Sequence, residues 1–444
     1  MDSLLFTTPA LAAALSAEAH LAQLLAFEAG LARAEARAGV IPPEAAASIG
    51  AACRPELYEA AALYREAARA GTLAIPLVRA LTAQVAEPAR GYVHWGATSQ
   101  DAIDSALMLQ LREALALIEA DLLRLAAACA GLAEAHRASL MPARTLLQQA
   151  LPMPFGLKAA RWLALAVRQL RALREQRLSL CVQLGGAAGT LAALGGQGLL
   201  VADLLAEELG LAAPDLPWHA ERDRVAALAT ALGVAAGSAA KIAHDLALLA
   251  QSEVGEVQEG GAPGRGGSSA MPQKRNPVDS MLALAAARLA LGQVPVVLGA
   301  LAHEHERGVG GWQAEWQALP DLARYAGGAI AHVADAVAGL EVDPARMRAN
   351  LEASGGLPMA EALAIALAPH LGRLAAQDLV KMLIERMQGG TTLLHAALAE
   401  PRVTATLDPG ASAATLDPAG YLGSSNALID RALAGYRELL DSAR

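Results

Sequence analysis

Residues 266–277 read Gly-Gly-Ser-Ser-Ala-Met-Pro-Gln-Lys-Arg-Asn-Pro, and the rest of the chain is best read outward from this stretch. Two serines, a lysine and an asparagine share one short polar loop. The glycines that lead into it let the backbone take positive φ and approach a ligand closely. Pro272 and Pro277 stiffen its far end. A loose start and a rigid finish suit a lid that closes over a substrate. By composition alone the stretch reads as a surface linker; the order of its residues sets it apart.

Around this loop the chain has a helical character. Its 444 residues allow two to four domains. It is rich in Ala and Leu and carries only three Phe, a balance that favours helix. The formal net charge of −9 speaks against a general nucleic-acid or membrane-surface role, while leaving room for a local basic pocket. Cys53, Cys129 and Cys181 form neither a CxxC pair nor a disulfide framework, which points to a reducing cytoplasm. The N-terminus lacks a basic segment ahead of an apolar core, so no secretory signal is evident. Residues 178–202 are uncharged and long enough to cross a bilayer. Six glycines with Gln183 and Gln197 interrupt them, so the expectation is helix ends meeting at a buried Gly-rich turn, with no membrane span.

Residues 9–38 carry apolar side chains at helical spacing, with Glu28, Arg33, Glu35 and Arg37 on the polar side, until Gly39 and Pro42-Pro43 stop the run. The polar segment His94-Trp95-Gly96-Ala97-Thr98-Ser99-Gln100-Asp101 precedes a long helical run that Ser99 or Asp101 would cap. From 105 to 342 long Leu/Ala-rich amphipathic runs predict a helix bundle. From 343 the segments shorten. The expected organisation is a small α domain at 1–104, a central long-helix domain at 105–342 and a small α domain at 343–444. No internal repeat or strong β-hairpin pattern is evident.

The run Gly267–Pro277 closely resembles the GSSxMPxKxNP signature of the fumarase/aspartase superfamily, and the order of domains resembles that family throughout. The resemblance implies an all-α, three-domain fold in which the central bundles of four chains form a tetrameric helical core. It further implies a homotetramer whose active sites are shared between subunits. The family reaction moves a proton at the carbon beside a carboxylate, passes through an aci-carboxylate, and breaks or makes a bond at the next carbon. By the same resemblance Ser268 is the catalytic proton carrier, and Lys274 and Asn276 bind the intermediate. A serine hydroxyl is a poor base in water, so nearby positive charge and amide donors are needed to favour its ionised form. Those donors also stabilise the intermediate.

Three further stretches carry the resemblance. The 94–101 segment is similar to one whose hydroxyls, here Thr98 and Ser99, hold a substrate carboxylate and whose histidine, here His94, lies in the pocket. The run Ala143-Arg144-Thr145-Leu146-Leu147-Gln148-Gln149-Ala150-Leu151-Pro152 aligns with the Arg-Thr-His segment of adenylosuccinate lyases, placing Thr145 and Gln149 as substrate-binding candidates. Leu146 stands where those enzymes have a proton-transferring histidine. Expelling hydroxide needs acid help that a carboxylate hardly needs, since their conjugate acids differ by roughly 12 pKa units. That difference is on the order of 16 kcal/mol at most, so a lactone-forming or lactone-opening enzyme can do without the histidine. The stretch His305-Glu306-Arg307-Gly308-Val309-Gly310-Gly311-Trp312-Gln313-Ala314-Glu315-Trp316 resembles the HERGxGGWxAEW segment of the superfamily's bacterial carboxymuconate cycloisomerase branch.

Arg307 suits a tricarboxylate, because guanidinium binds carboxylates bidentately; an ion pair with Glu306 is the competing reading. That branch often carries a histidine where this chain has Gln149, which leaves His94 as the second proton-handling candidate. The expected activity is therefore an intramolecular lactonisation of a small-molecule tricarboxylate, with no cofactor, nucleic acid or membrane involved. Other lyases of the superfamily, or a non-catalytic relative on the same scaffold, are the alternatives. No metal is expected: His303-Glu304-His305-Glu306 lacks the His-Glu-x-x-His spacing that aims two histidines from one helical face.

Overall fold

A computed structural model describes residues 4–260, 266–267, 270–271, 273–387 and 389–442. The fold is all-α apart from two small two-stranded ladders. The predicted helix over 9–38 is broken in two. Helix Pro9–Ala14 stops before Ser16, whose hydroxyl caps α1 (Ala17–Arg37) by accepting from the Ala19 amide at 3.1 Å. Leu21, Leu24, Leu25, Glu28, Leu31 and Glu35 form the buried stripe of α1 at the spacing of one helical face, so Glu28 and Glu35 lie on the buried side and not on the polar side expected for them. Long helices follow as expected: α2 (Ser99–Ala135), α3 (Phe155–Leu178), α4 (Asp223–Leu249), α5 (Val278–Gly299) and α6 (Gly311–Ala338).

The uncharged segment after α3 is not a continuous helix. Residues 180–186 are buried, Cys181 bridges Ala212, and two short 3-10 turns precede the helix Gly198–Leu209. The Gly-rich turn expected there is present. Among the described residues, α4 and α5 are each long and apolar enough to cross a membrane, with 56% and 28% respectively of their most apolar window buried in the protein.

One element was not expected. Strands β1 (Leu140–Thr145) and β2 (Gln148–Pro154) form an antiparallel hairpin with Leu140 opposite Pro154 and Thr145 opposite Gln148. Its turn places Leu146 and Leu147 at φ +51° and +66°. Two positive φ values match a type I′ turn, whose usual signal is Asn-Gly or Gly-Gly. Two leucines give no such signal, so sequence patterning missed the hairpin.

Contacts divide the chain into two compact units, one from Met1–Leu123, Arg168–Lys241 and Met281–Val333, the other from Arg124–Val167, Ile242–Ser280 and Ala334–Arg444. In the first, Phe27, Leu31, Leu77, Leu109, Val182, Leu205 and Trp312 belong to one buried cluster. In the second, Leu363, Leu367, Leu379, Leu383, Leu393 and Val403 form another. Strands β3 (Val257–Gln258) and β4 (Glu341–Val342) pair in the second unit.

Candidate active site

In the first unit the 94–101 segment turns sharply into α2. His94 adopts φ +57°, a left-handed conformation that is uncommon outside glycine. Its Nδ1 donates to Oε1 of Glu28 at 2.6 Å, with the Glu28 side chain almost wholly buried. Burial works against charge on the ring. The charge and hydrogen bond of Glu28, with the charge of Asp101, outweigh it and hold His94 above the ordinary histidine range. Ser99 is the first residue of α2, so Thr98 takes the cap position. Asp101 closes that end from within: its Oδ2 accepts the Thr98 amide at 2.9 Å. Thr98 and Ser99 are both half-buried.

Asp101 does more than cap. Its Oδ1 accepts from the Gly185 amide at 3.0 Å and from Nε2 of His219 at 2.7 Å, and its Oδ2 from the Gly186 amide at 3.0 Å. One buried carboxylate thus pins three chain segments together. Gly185 is required there, because a Cβ would lie 2.8 Å from both the His219 ring and Pro217. The neighbouring Gln100 is buried and accepts from Nε of Arg307 at 3.0 Å, while Nη2 of Arg307 donates to the Ala187 carbonyl at 3.1 Å. Two of the motifs read from the sequence, 94–101 and 305–316, therefore meet at Gln100 and Arg307. The side-chain hydrogen bonds of Arg307 among the described residues go to Gln100 and Ala187, not to Glu306.

Beneath this contact lies a buried ionic network. Arg222 donates to Asp104 at 2.8 Å and makes a short ion pair with Glu315, and its guanidinium lies 4.8 Å from the Trp218 ring centre. Burial lowers the Arg222 pKa, but the two carboxylates more than reverse that and hold the charge in place. Burial pushes Glu315 up, against the pull of Arg222. Asp104 also accepts from Nε1 of Trp312 at 2.9 Å and from the Gln100 amide at 3.1 Å, so the network supports the first turns of both α2 and α6.

The second unit holds the other candidates. Ser268 lies outside the described residues. The loop around it is closed by a bond from the Asn276 amide to the Gly266 carbonyl at 2.8 Å, with Gly266 at φ +75°. Asn276 is half-buried, and Lys274 is exposed. Just past the loop, both oxygens of Glu259 cap α5 by accepting the Asp279 and Ser280 amides at 2.9 Å each. On the hairpin, Thr145 and Gln149 are exposed, and Nε2 of Gln149 donates to the Asn350 carbonyl at 3.3 Å. Arg144 holds buried Glu256 through two bonds of 2.9 and 2.6 Å, and Nδ2 of Asn350 donates to that same carboxylate at 2.8 Å. Leu146, at the tip, is 98% exposed. Among the described residues no group of three or more His, Cys, Asp or Glu side chains could hold a metal.

Glu28, Asp101, His219 and Glu256 carry much of this geometry. Sequence reading had placed Asp101 only as a cap and Glu28 on the polar side of its helix, and had passed over His219 and Glu256. None sits in a recognisable spacing, and each acts on a partner at least 66 residues away.

A family model described as Lyase matches residues 6–295, and one described as Adenylosuccinate lyase C-terminus matches residues 356–432. The chain belongs to this lyase family, the fumarase/aspartase superfamily of the signature loop. Within it, the chain is 50% identical over 439 residues to a 3-carboxy-cis,cis-muconate cycloisomerase of Pseudomonas aeruginosa, covering 98% of this chain and 96% of that one. It is 49% identical over 434 residues to the enzyme of the same name from Bradyrhizobium diazoefficiens, covering 97% of this chain and 96% of that one. The crystal structure of a 3-carboxy-cis,cis-muconate lactonizing enzyme from Pseudomonas putida superposes with a TM-score of 0.91 at 43% identity, covering 98% of each chain.

Proposed function

We propose that this protein is an enzyme that closes 3-carboxy-cis,cis-muconate into a carboxymuconolactone, in the protocatechuate branch of the β-ketoadipate pathway. One substrate carboxylate oxygen adds to a carbon of the conjugated diene, forming the ring C–O bond. The displaced π electrons pass into the conjugated carboxylate as an aci-carboxylate. Ser268 Oγ–H then delivers a proton to the carbon beside that carboxylate, restoring it. Lys274 and Asn276 hold the doubly charged intermediate, and such donors act most strongly where charge develops. His94 is the second group that handles protons, and Thr98, Ser99, Thr145 and Gln149 bind substrate oxygens. Arg307 keeps Nη1 for a substrate carboxylate, since its Nε and Nη2 are held by Gln100 and Ala187. Because the substrate's own carboxylate is the electron sink, the chemistry needs no cofactor.

The observation that carries this reading is the bond between Gln100 and Arg307, which joins the 94–101 motif to the tricarboxylate-suited arginine. It stands in a chain half identical to cycloisomerases along nearly its whole length. The exposed Leu146 supports the same choice over an amine- or hydroxide-expelling lyase, because it has no proton to give.

The working form in this reading is a cytoplasmic homotetramer whose sites are shared between subunits, with domains at 1–104, 105–342 and 343–444. The support is α5, which leaves Met281, Leu289, Leu291, Val296 and Leu298 at least 39% exposed along an apolar helix. Loss of diene ultraviolet absorbance when purified protein meets 3-carboxy-cis,cis-muconate, with lactone as product, tests the activity. Silence on that substrate together with fumarate release from argininosuccinate or adenylosuccinate would overturn it.

A further inference from the structure

The buried stripe of α1 contains two glutamates where every neighbour is apolar. Glu28 and Glu35 lie seven residues apart on the face carrying Leu21, Leu24, Leu25 and Leu31, and are 2% and 0% exposed. A leucine at either position would serve helix and core as well, so their presence calls for another reason. Glu28 has a partner: its Oε1 accepts from Nδ1 of His94 at 2.6 Å, where the chain holds His94 in a left-handed conformation. We propose that Glu28 is a positioning residue, whose carboxylate accepts the Nδ1–H hydrogen bond of His94, fixes the ring and turns Nε2 toward the substrate. This rests on the reading of His94 as a substrate-pocket group.

The charges around the ring fit that role. Burial, followed by the charge of Glu28, pushes Glu35 up to about 9, so Glu35 keeps its proton near neutral pH. From α2, Asp101 faces the same region, with its charge shared among three backbone amides and His219. Cys53, which feels the charge of Glu28, is pushed up to about 12, chiefly by burial, and stays a thiol. Glu28 therefore sets both which nitrogen of His94 carries the proton in its neutral form and how long the ring stays cationic as pH rises.

The test uses the full-length enzyme as wild type, Glu28→Gln, Glu28→Asp and His94→Asn. Histidine ¹⁵N spectra give the His94 tautomer and titration midpoint, and kcat and KM for 3-carboxy-cis,cis-muconate are measured across pH. In wild type the neutral ring should carry its proton on Nδ1. Glu28→Gln should lower the midpoint by about one unit or more and move the alkaline limb of kcat down by the same amount. Its kcat near neutral pH should fall about tenfold or more, with KM little changed. Glu28→Asp should recover part of both effects. A purely structural Glu28 would lower the amount of folded enzyme without moving the midpoint or the limb. If Glu28→Gln does not fold, the wild-type tautomer decides, and a bare Nδ1 in neutral His94 overturns the proposal. Wild-type turnover in His94→Asn would remove His94 from the site and the proposal with it. An impaired His94→Asn beside a Glu28→Gln with unchanged midpoint and pH profile would refute the proposal alone.

Discussion

Glu35 turns burial into a pH dependence that can be measured. In the unfolded chain its carboxyl ionises near 4.5, and in the folded protein only near about 9. Between those values the folded state keeps a proton that the unfolded state has released, so stability falls as pH rises through that window. The cost at the upper end is on the order of a few kcal/mol. Glu35→Gln removes it: the variant should melt higher than wild type at pH 8 and show a flatter melting temperature between pH 5 and 9. Equal pH dependence in the two proteins would mean that Glu35 ionises in the fold. Ser268 is tested by kinetics. Ser268→Ala should lower kcat by about a hundredfold or more with melting unchanged, as expected for loss of a group that transfers a proton. The signature serine was readable in the sequence because its neighbours occur in a fixed order. Glu28 and His219 were not, because a buried glutamate in an apolar stripe and a lone histidine announce no role until their partners are placed.

Among the elements, the hairpin shows where sequence patterning stops. The long helices were legible from their 3.6-residue periodicity, and the breaks at Ser16 and after Leu178 came from a cap and from glycines. The hairpin was hidden because Leu146 and Leu147 occupy a turn that glycine and asparagine favour. Each pays on the order of 1–2 kcal/mol for its left-handed backbone. Replacing the pair with Asn-Gly should therefore slow amide exchange along Arg144–Gln149 by about tenfold or more, read by hydrogen–deuterium exchange. Unchanged exchange would show that the turn carries no such strain. The meeting of Gln100 with Arg307 was beyond any local pattern, since 207 residues separate them.

For the molecule as a whole, apolar surface on α5 is too continuous to face water alone, with Leu291 45% exposed near its middle. Native mass spectrometry should find four copies per particle, and Leu291→Glu should shift the population to smaller species with loss of turnover. A wild-type monomer that is fully active would end the shared-site account. The central claim is chemical: a carboxylate of the substrate closes onto its own diene, and a proton arrives beside another carboxylate. The most direct test is to convert 3-carboxy-cis,cis-muconate in D₂O and follow it by NMR. The account predicts a lactone carrying a single deuterium on the carbon next to a carboxylate. Unconsumed diene, or a lactone with no deuterium at that carbon, would contradict it.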